Sequence, residues 1–208
     1  MFRAFSLLLL MMLPGCVALT AVSAIPGALF EVAANQFIGK EKSYPANMRK
    51  TLTGVQQSLQ SLKLDVDVLE IQQDGGYGIG FGNERLDGEI TLRTQTPELT
   101  TVYIKVKGSS REESVEHAII EVIDEKLKRL PASAHMDTSK YNNLRQDPSV
   151  KSPRVGWFRP GASLEVTQSG AREWLKIKLP SGDYAYLKGA IKEGDPAQKR
   201  KTILSKSE

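Results

Sequence analysis

Leu86-Asp87-Gly88-Glu89-Ile90-Thr91-Leu92-Arg93 and, after Thr96-Pro97-Glu98, Val102-Tyr103-Ile104-Lys105-Val106-Lys107 decide the class of fold. Both runs place apolar residues at every second position, as strands do when one face is buried and the other is wet. Thr96-Pro97-Glu98 supplies the turn between them. On the N-terminal side, Leu64, Val66 and Val68 alternate with Asp65 and Asp67 in a third strand of the same kind. Before it, Met48, Leu52, Val55, Leu59 and Leu62 recur at steps of four and three, which puts them on one face of a helix. Pro45 suits that helix's first turn, and the stretch from Phe37 to Pro45 reads as extended. On the C-terminal side, Ser110-Arg111-Glu112-Glu113 reads as a capping box. It opens a helix in which Val115, Ile119, Val122, Ile123, Leu127 and Leu130 share a face and which Pro131 stops. The order β-α-β-β-β-α lets two helices cover one face of an antiparallel sheet, an α+β domain over residues 37–131.

Between the first two meander strands lies Gly75-Gly76-Tyr77-Gly78-Ile79-Gly80-Phe81-Gly82-Asn83. A phosphate-binding loop fails here: the spacing of a third glycine and a following Lys-Ser/Thr are missing, and the segment joins two strands. Two readings remain, a bare flexible hairpin tip or a loop that presents Tyr77, Ile79 and Phe81 to a partner or a membrane. Alternating glycines would hold those side chains loosely until a partner surface ordered them.

The chain opens with one basic residue, Arg3, then an uncharged apolar run from Phe5 to Leu13, the layout of an export signal and too short to span a bilayer. The run ends in Leu13-Pro14-Gly15-Cys16, which resembles the lipobox of bacterial lipoproteins, with Pro14 an unusual middle residue. The resemblance implies cleavage after a signal peptide of residues 1–15 and lipidation of the Cys16 thiol. An ordinary secretory site after Val22-Ser23-Ala24 is one alternative. An uncleaved span from Leu7 to Phe30 is another, opposed by the breaks at Pro14-Gly15 and Pro26-Gly27. Cys16 is the only cysteine, so no disulfide forms within the chain. Several acyl chains on one cysteine anchor stably where one alone does not. Val17 stands where the inner-membrane retention signal has an aspartate, so the resemblance points to the outer membrane, with the body on the periplasmic face. Residues 16–36 form an apolar tether rich in Ala, Val and Gly. With the Tyr44-Pro45 helix start and the meander, the stretch 16–130 resembles a little-characterised family of small bacterial lipoproteins that brings no known reaction.

Asn143-Leu144-Arg145-Gln146-Asp147-Pro148-Ser149, Arg159-Pro160-Gly161, Glu173-Trp174-Leu175-Lys176-Ile177, Leu179-Pro180-Ser181-Gly182 and Tyr184-Ala185-Tyr186-Leu187 follow in order. Short alternating runs separated by Pro-Gly and Ser-Gly turns read as a small β-barrel. The ordered set resembles the bacterial SH3-like domain, and it places such a barrel at residues 141–192 after a linker at 132–140. Leu175, Ile177 and Leu179 would fill its interior while Lys176 and Lys178 face water. The resemblance implies a groove for cell-wall peptides or protein segments, lined here by Trp174, Tyr184 and Tyr186. Ala185 and Tyr186 stand where the family commonly has Gly and Trp, so the aromatic wall is altered. Residues 193–208 read as a basic tail, with Lys199-Arg200-Lys201 as its cluster.

The formal net charge of +4 is small and spread along 208 residues. With export implied, the basic cluster fits anionic lipid headgroups or wall polymers, and no nucleic acid is expected. His117 and His135 are the only histidines. Glu113, His117 and Glu121 share one helix face at steps of four, which fits a solvated polar face opposite the core stripe better than a metal or acid-base site. No Ser/His/Asp, His-Glu-x-x-His or Cys/His set can be assembled, so neither catalytic residues nor metal ligands nor a cofactor are expected. The sequence therefore reads as a non-catalytic, lipid-anchored envelope protein, a scaffold or accessory subunit with an SH3-like binding module. A peptidoglycan-binding tether is the alternative of the same kind, and a cell-wall hydrolase or its activator is the alternative of another class. Cys16→Ala should abolish acyl labelling and signal removal in cells, and labelling that persists in that variant would sink the lipoprotein reading.

Overall fold

The stripe Met48, Leu52, Val55, Leu59 and Leu62 forms the inner face of helix α1, Met48–Ser61. Asn47 caps it, its Oδ1 accepting from the Lys50 N–H at 2.9 Å. Val55 and Leu59 are fully buried, and Met48 and Leu62 close the stripe's ends. The second helix, α2, runs Glu113–Arg129 and buries Ile119, Ile120, Ile123 and Leu127. Its expected capping box does not form: the N-cap is Glu112, which makes no side-chain cap bond. The buried Glu116 takes over the anchoring instead. It accepts from the Val106 N–H at 3.1 Å and from both Nε and Nη2 of Arg111 at 3.1 and 2.7 Å, which ties the helix start to the sheet.

This computed structural model describes residues 39–162 and 166–189. The lipobox with Cys16, the tether through residue 36 and the tail from 193 lie outside the described residues.

Ten antiparallel strands make one sheet: β1 Lys40–Tyr44, β2 Asp65–Ile71, β3 Tyr77–Gly82, β4 Asp87–Thr96, β5 Leu99–Lys107, β6 Asn142–Arg145, β7 Arg154–Phe158, β8 Val166–Gln168, β9 Trp174–Lys178 and β10 Tyr184–Lys188. Their spatial order is β1-β5-β4-β3-β2-β7-β6-β10-β9-β8. The antiparallel sheet under two helices agrees with the expected α+β class. The C-terminal strands do not form the expected barrel: among the described residues the sheet is open, with β8 and β1 at its two edges. Lys40 and Lys42 on β1 and the shortness of β8 blunt these edges against pairing with another chain.

The element order also carries one strand more than expected, because the glycine-rich segment is β3 and not a loop. The chain turns earlier, over Gln72–Gly76, where Gly75 adopts φ +81° and Asp74 Oδ1 accepts the Gly76 N–H at 2.9 Å. From Tyr77 onward β3 pairs with β2 on one side and β4 on the other. Ile79 and Phe81 are buried in the core beneath the helices, and Tyr77 packs at its margin. The partner-contact loop assigned to Tyr77, Ile79 and Phe81 is thus corrected: these side chains already have a partner, the helical layer. The alternating glycines leave the opposite face of β3 bare, and the turn after β9 lies on it. A Cβ on Gly78 would come within 3.3 Å of Pro180 Cβ, and one on Gly80 within 2.8 Å of Val68 Cγ1.

β2 joins the two halves. A bulge at Asp67 shifts its register between Val66 and Val68. Val66 and Leu69 therefore enter the helical core, while Val68 enters a second core with Leu144, Phe158, Leu175, Ile177, Leu179, Ala185 and Leu187. This second core confirms the expected interior positions of Leu175, Ile177 and Leu179. Along its outer edge β2 pairs with β7, Val68 opposite Phe158, Leu69 opposite Trp157 and Glu70 opposite Gly156. Gly156 is obligatory there, because a Cβ would stand 2.3 Å from the Leu69 carbonyl oxygen. Residues 132–140 are also fastened down: Met136 is buried, and the Gln56 amide bonds both the N–H and the carbonyl of Asp137.

Two buried carboxylates hold the junction. Arg159 Nη2 donates to Asp67 Oδ1 at 2.5 Å, and the Ser181 N–H donates to Glu70 Oε2 at 3.0 Å. Burial pushes the Glu70 carboxyl above its ordinary range, against the pull of its bonds to Ser181. Burial does the same to Asp67, opposed by the Arg159 guanidinium. A carboxyl that titrates higher in the folded chain than in the unfolded one binds its proton more tightly when folded. Its contribution to stability therefore grows as pH falls from above the raised value towards the ordinary one, and is lost as pH rises past the raised value. Glu70→Gln keeps an acceptor for Ser181 but cannot titrate, so urea denaturation across pH should show a smaller gain on mild acidification than in the parent. An identical profile would remove Glu70 from the junction's electrostatics. Ile79→Ala, which truncates a fully buried side chain, should cost about 2–5 kcal/mol by denaturant titration. A loss near zero would return β3 to the status of a loose loop.

Candidate functional site

Strand β9 alternates Trp174, Lys176 and Lys178 with the core residues Leu175 and Ile177, and β10 alternates Tyr184, Tyr186 and Lys188 with Ala185 and Leu187. The antiparallel register sets Tyr184 opposite Lys178, Tyr186 opposite Lys176 and Lys188 opposite Trp174. Directly opposite residues of neighbouring strands share a face. All three aromatic residues singled out in the sequence thus stand on the outer face of one hairpin. The four-residue offset between Tyr184 and the Lys188–Trp174 row stretches this track over about 13 Å.

The two ends of the track differ. At one end Tyr184 is half exposed, and Lys176 Nζ sits 3.8 Å from its ring centroid, close enough for a cation-π contact. In the middle, half-buried Tyr186 lies between two cations, Lys176 on β9 and Arg145 on β6, each directly opposite it in register. At the far end Trp174 is only 9% exposed. It is not an open platform but part of the wall of a pocket of about 200 Å³, with Asn143, Arg145, Val150 and Lys188 around the same opening. Val150 is 60% exposed and Tyr184 50%, and they are the two exposed large hydrophobic residues among the described ones. Tyr184 stands at the open end of the track and Val150 at the pocket end.

Val150, Arg145 and Lys176 escaped the sequence reading. Lys176 was legible as a water-facing residue, but its place over Tyr184 depends on a diagonal across two strands. Val150 sits in a loop whose approach to Trp174 no spacing announces.

On α2, His117 Nε2 lies 3.3 Å from Glu121 Oε1, and both side chains are about two-thirds exposed. Glu113 is occupied with Arg111 at 3.1 Å. The three residues form the solvated face that their spacing indicated, and among the described residues no His, Cys, Asp and Glu side chains gather into a metal-binding group. Among these residues, too, no helix is long and apolar enough to cross a membrane.

Residues 141–191 are similar to the family described as Bacterial SH3 domain. That similarity covers the hairpin track, its pocket and every residue of the second core except Val68, and leaves the helical half uncovered. Comparison with curated proteins found no match.

Proposed function

We propose that the chain is a non-catalytic, lipid-anchored protein of the cell envelope, held through Cys16 on the periplasmic face of the outer membrane. There it serves as a scaffold or accessory subunit whose SH3-like module grips an extended ligand along the β9–β10 track. Bacterial SH3 domains act as binding modules, often for peptidoglycan. The observation that carries the proposal is the pairing of Val150 and Tyr184 at the two ends of a track with Trp174 and Tyr186 between them. Aromatic rings provide broad apolar contact with a polar tip, and Arg145, Lys176 and Lys188 favour a ligand that carries carboxylates.

A peptidoglycan-tethering role is the second reading, favoured by the same three cations, since wall peptides are rich in carboxylates. Tyr184→Ala combined with Tyr186→Ala removes ring area without touching the second core, so the full-length variant should keep its circular dichroism and melting temperature. In sedimentation with purified wall sacculi, and in crosslinking from intact membranes, it should lose most of its recovery. Loss confined to sacculi would select the tethering role, and loss confined to a crosslinked protein would select the assembly. Undiminished recovery in both would rule out the track as the binding site.

A further inference from the structure

The pocket beside Trp174 holds two positive charges that nothing around it balances. Arg145 and Lys188 line it together with Asn143, Val150, Trp174 and Leu187, and among the described residues no acid does. Asp147, two residues beyond Arg145, is occupied elsewhere: its Oδ2 accepts from Ser152 Oγ at 2.9 Å. Arg145 Nη1 donates to the Ser152 carbonyl at 2.9 Å, and among the described residues neither the rest of its guanidinium nor the Lys188 ammonium pairs with a carboxylate. At about 200 Å³ the pocket is smaller than sites that enclose a whole small ligand, roughly 300–1,000 Å³, and suits one residue of a longer one. We infer that it is a carboxylate subsite, an inference that rests on the track being the ligand site. It takes the carboxylate-bearing residue of an extended peptide between Arg145 and Lys188, lays the apolar part of that residue on Trp174 and Val150, and so fixes the direction in which the ligand lies.

The cation and the apolar wall are set in place by the same loop. The Ser149 N–H donates to the Asp147 carbonyl at 2.7 Å, the Ser152 N–H to the Ser149 carbonyl at 3.1 Å, and the Asp147 N–H to Ser152 Oγ at 2.9 Å. These bonds close a turn with Val150 at its tip, and the Arg145–Ser152 bond ties the guanidinium to that turn. Both groups are therefore held beside one opening before a ligand arrives, which lowers the ordering cost of binding. A guanidinium has five N–H donors in a planar fork, and Ser152 accepts from one, so a carboxylate can still be bonded through two.

The other end of the track is built differently. Its cation, Lys176, lies over the Tyr184 ring, which leaves the carboxylate-binding role to the pocket end. Four extended residues at about 3.3 Å each cover the distance between the ends. A tetrapeptide whose carboxylate sits in the pocket thus reaches Tyr184. A chain terminus and a glutamate side chain offer the same carboxylate chemistry.

The test uses full-length protein in detergent micelles and acetylated peptides of four alanines, one a free acid and one an amide. The acid should shift the Val150 and Leu187 amides and the Trp174 indole N–H, and the amide should bind about tenfold more weakly. Arg145→Gln with Lys188→Gln keeps an N–H for the Ser152 carbonyl, so circular dichroism should be unchanged while the acid falls to the affinity of the amide. Lys188→Gln alone, at an exposed position, should give part of that loss without touching the loop. An amidated peptide ending in glutamate separates the two sources: affinity equal to the free acid assigns the subsite to side-chain carboxylates, and affinity equal to the neutral amide assigns it to a chain terminus. The inference is overturned if acid and amide bind alike, if the acid keeps its advantage in the double variant, or if no peptide binds at millimolar concentration. Equal binding of acid and amide that Tyr184→Ala with Tyr186→Ala abolishes would remove the carboxylate subsite and leave the track standing.

Discussion

The fold turns on a single extra residue in one strand. Without the bulge at Asp67, strict alternation would send Val66 and Val68 to the same side of β2, and Leu69 to the other. With it, Val66 and Leu69 close the helical core while Val68 closes the second core, from a strand hydrogen-bonded along both edges. A β-bulge re-aims side chains and increases local twist. Here that change lets one strand belong to two packing units, and it turns Asp67 towards Arg159.

The junction is expensive to break. Removing one partner of a buried ion pair such as Asp67–Arg159 costs about 3–5 kcal/mol, because the remaining charge stays desolvated. A hydrogen bond to a charged acceptor such as Glu70 contributes about 1.5–3 kcal/mol. Arg159, with 29% of its side chain exposed, belongs at the lower end of the first range. These polar contacts add to an apolar junction in which Val68 packs into the second core and Trp157 and Tyr141 pack against the helical one. Together with the β2–β7 ladder they hold the two halves in one register.

What the sequence made legible follows from how locally each feature is determined. The stripe of α1, the β4–β5 hairpin and the alternating interior of β9 depend on neighbours a few residues away, so periodicity reveals them. β3 was illegible because its second face is completed by Pro180, about a hundred residues further along the chain. A strand of alternating large residues and glycines looks like a loop until the glycine side is known to be occupied. The start of α2 misled for a related reason: Ser110 and Glu113 have the capping spacing, but Glu116 has a stronger claim, through Arg111 and the Val106 N–H, on where the helix begins. At the candidate site, the resemblance to the SH3-like domain picked out Trp174, Tyr184 and Tyr186 and the register put them on one face. It could not foresee that Trp174 would be a pocket wall, because the covering loop with Val150 is placed by tertiary packing.

The same geometry constrains how binding can be felt by the rest of the molecule. Tyr184 opens β10 just three residues after Ser181, and Ser181 is bonded to Glu70 near the C-terminal end of β2. The segment between them is itself braced, since the Leu179 N–H donates to the Asp183 carbonyl and the Gly182 N–H to that of Leu179. A ligand that pulls on Tyr184 therefore loads a short, hydrogen-bonded turn and, through it, the strand shared by both cores. The track does not hang from a flexible linker: residues 132–140 are pinned by Met136 and Gln56, and the sheet is continuous from β5 to β10. A module mounted in this way would hold any segment bound on its track in a set orientation to the helical half.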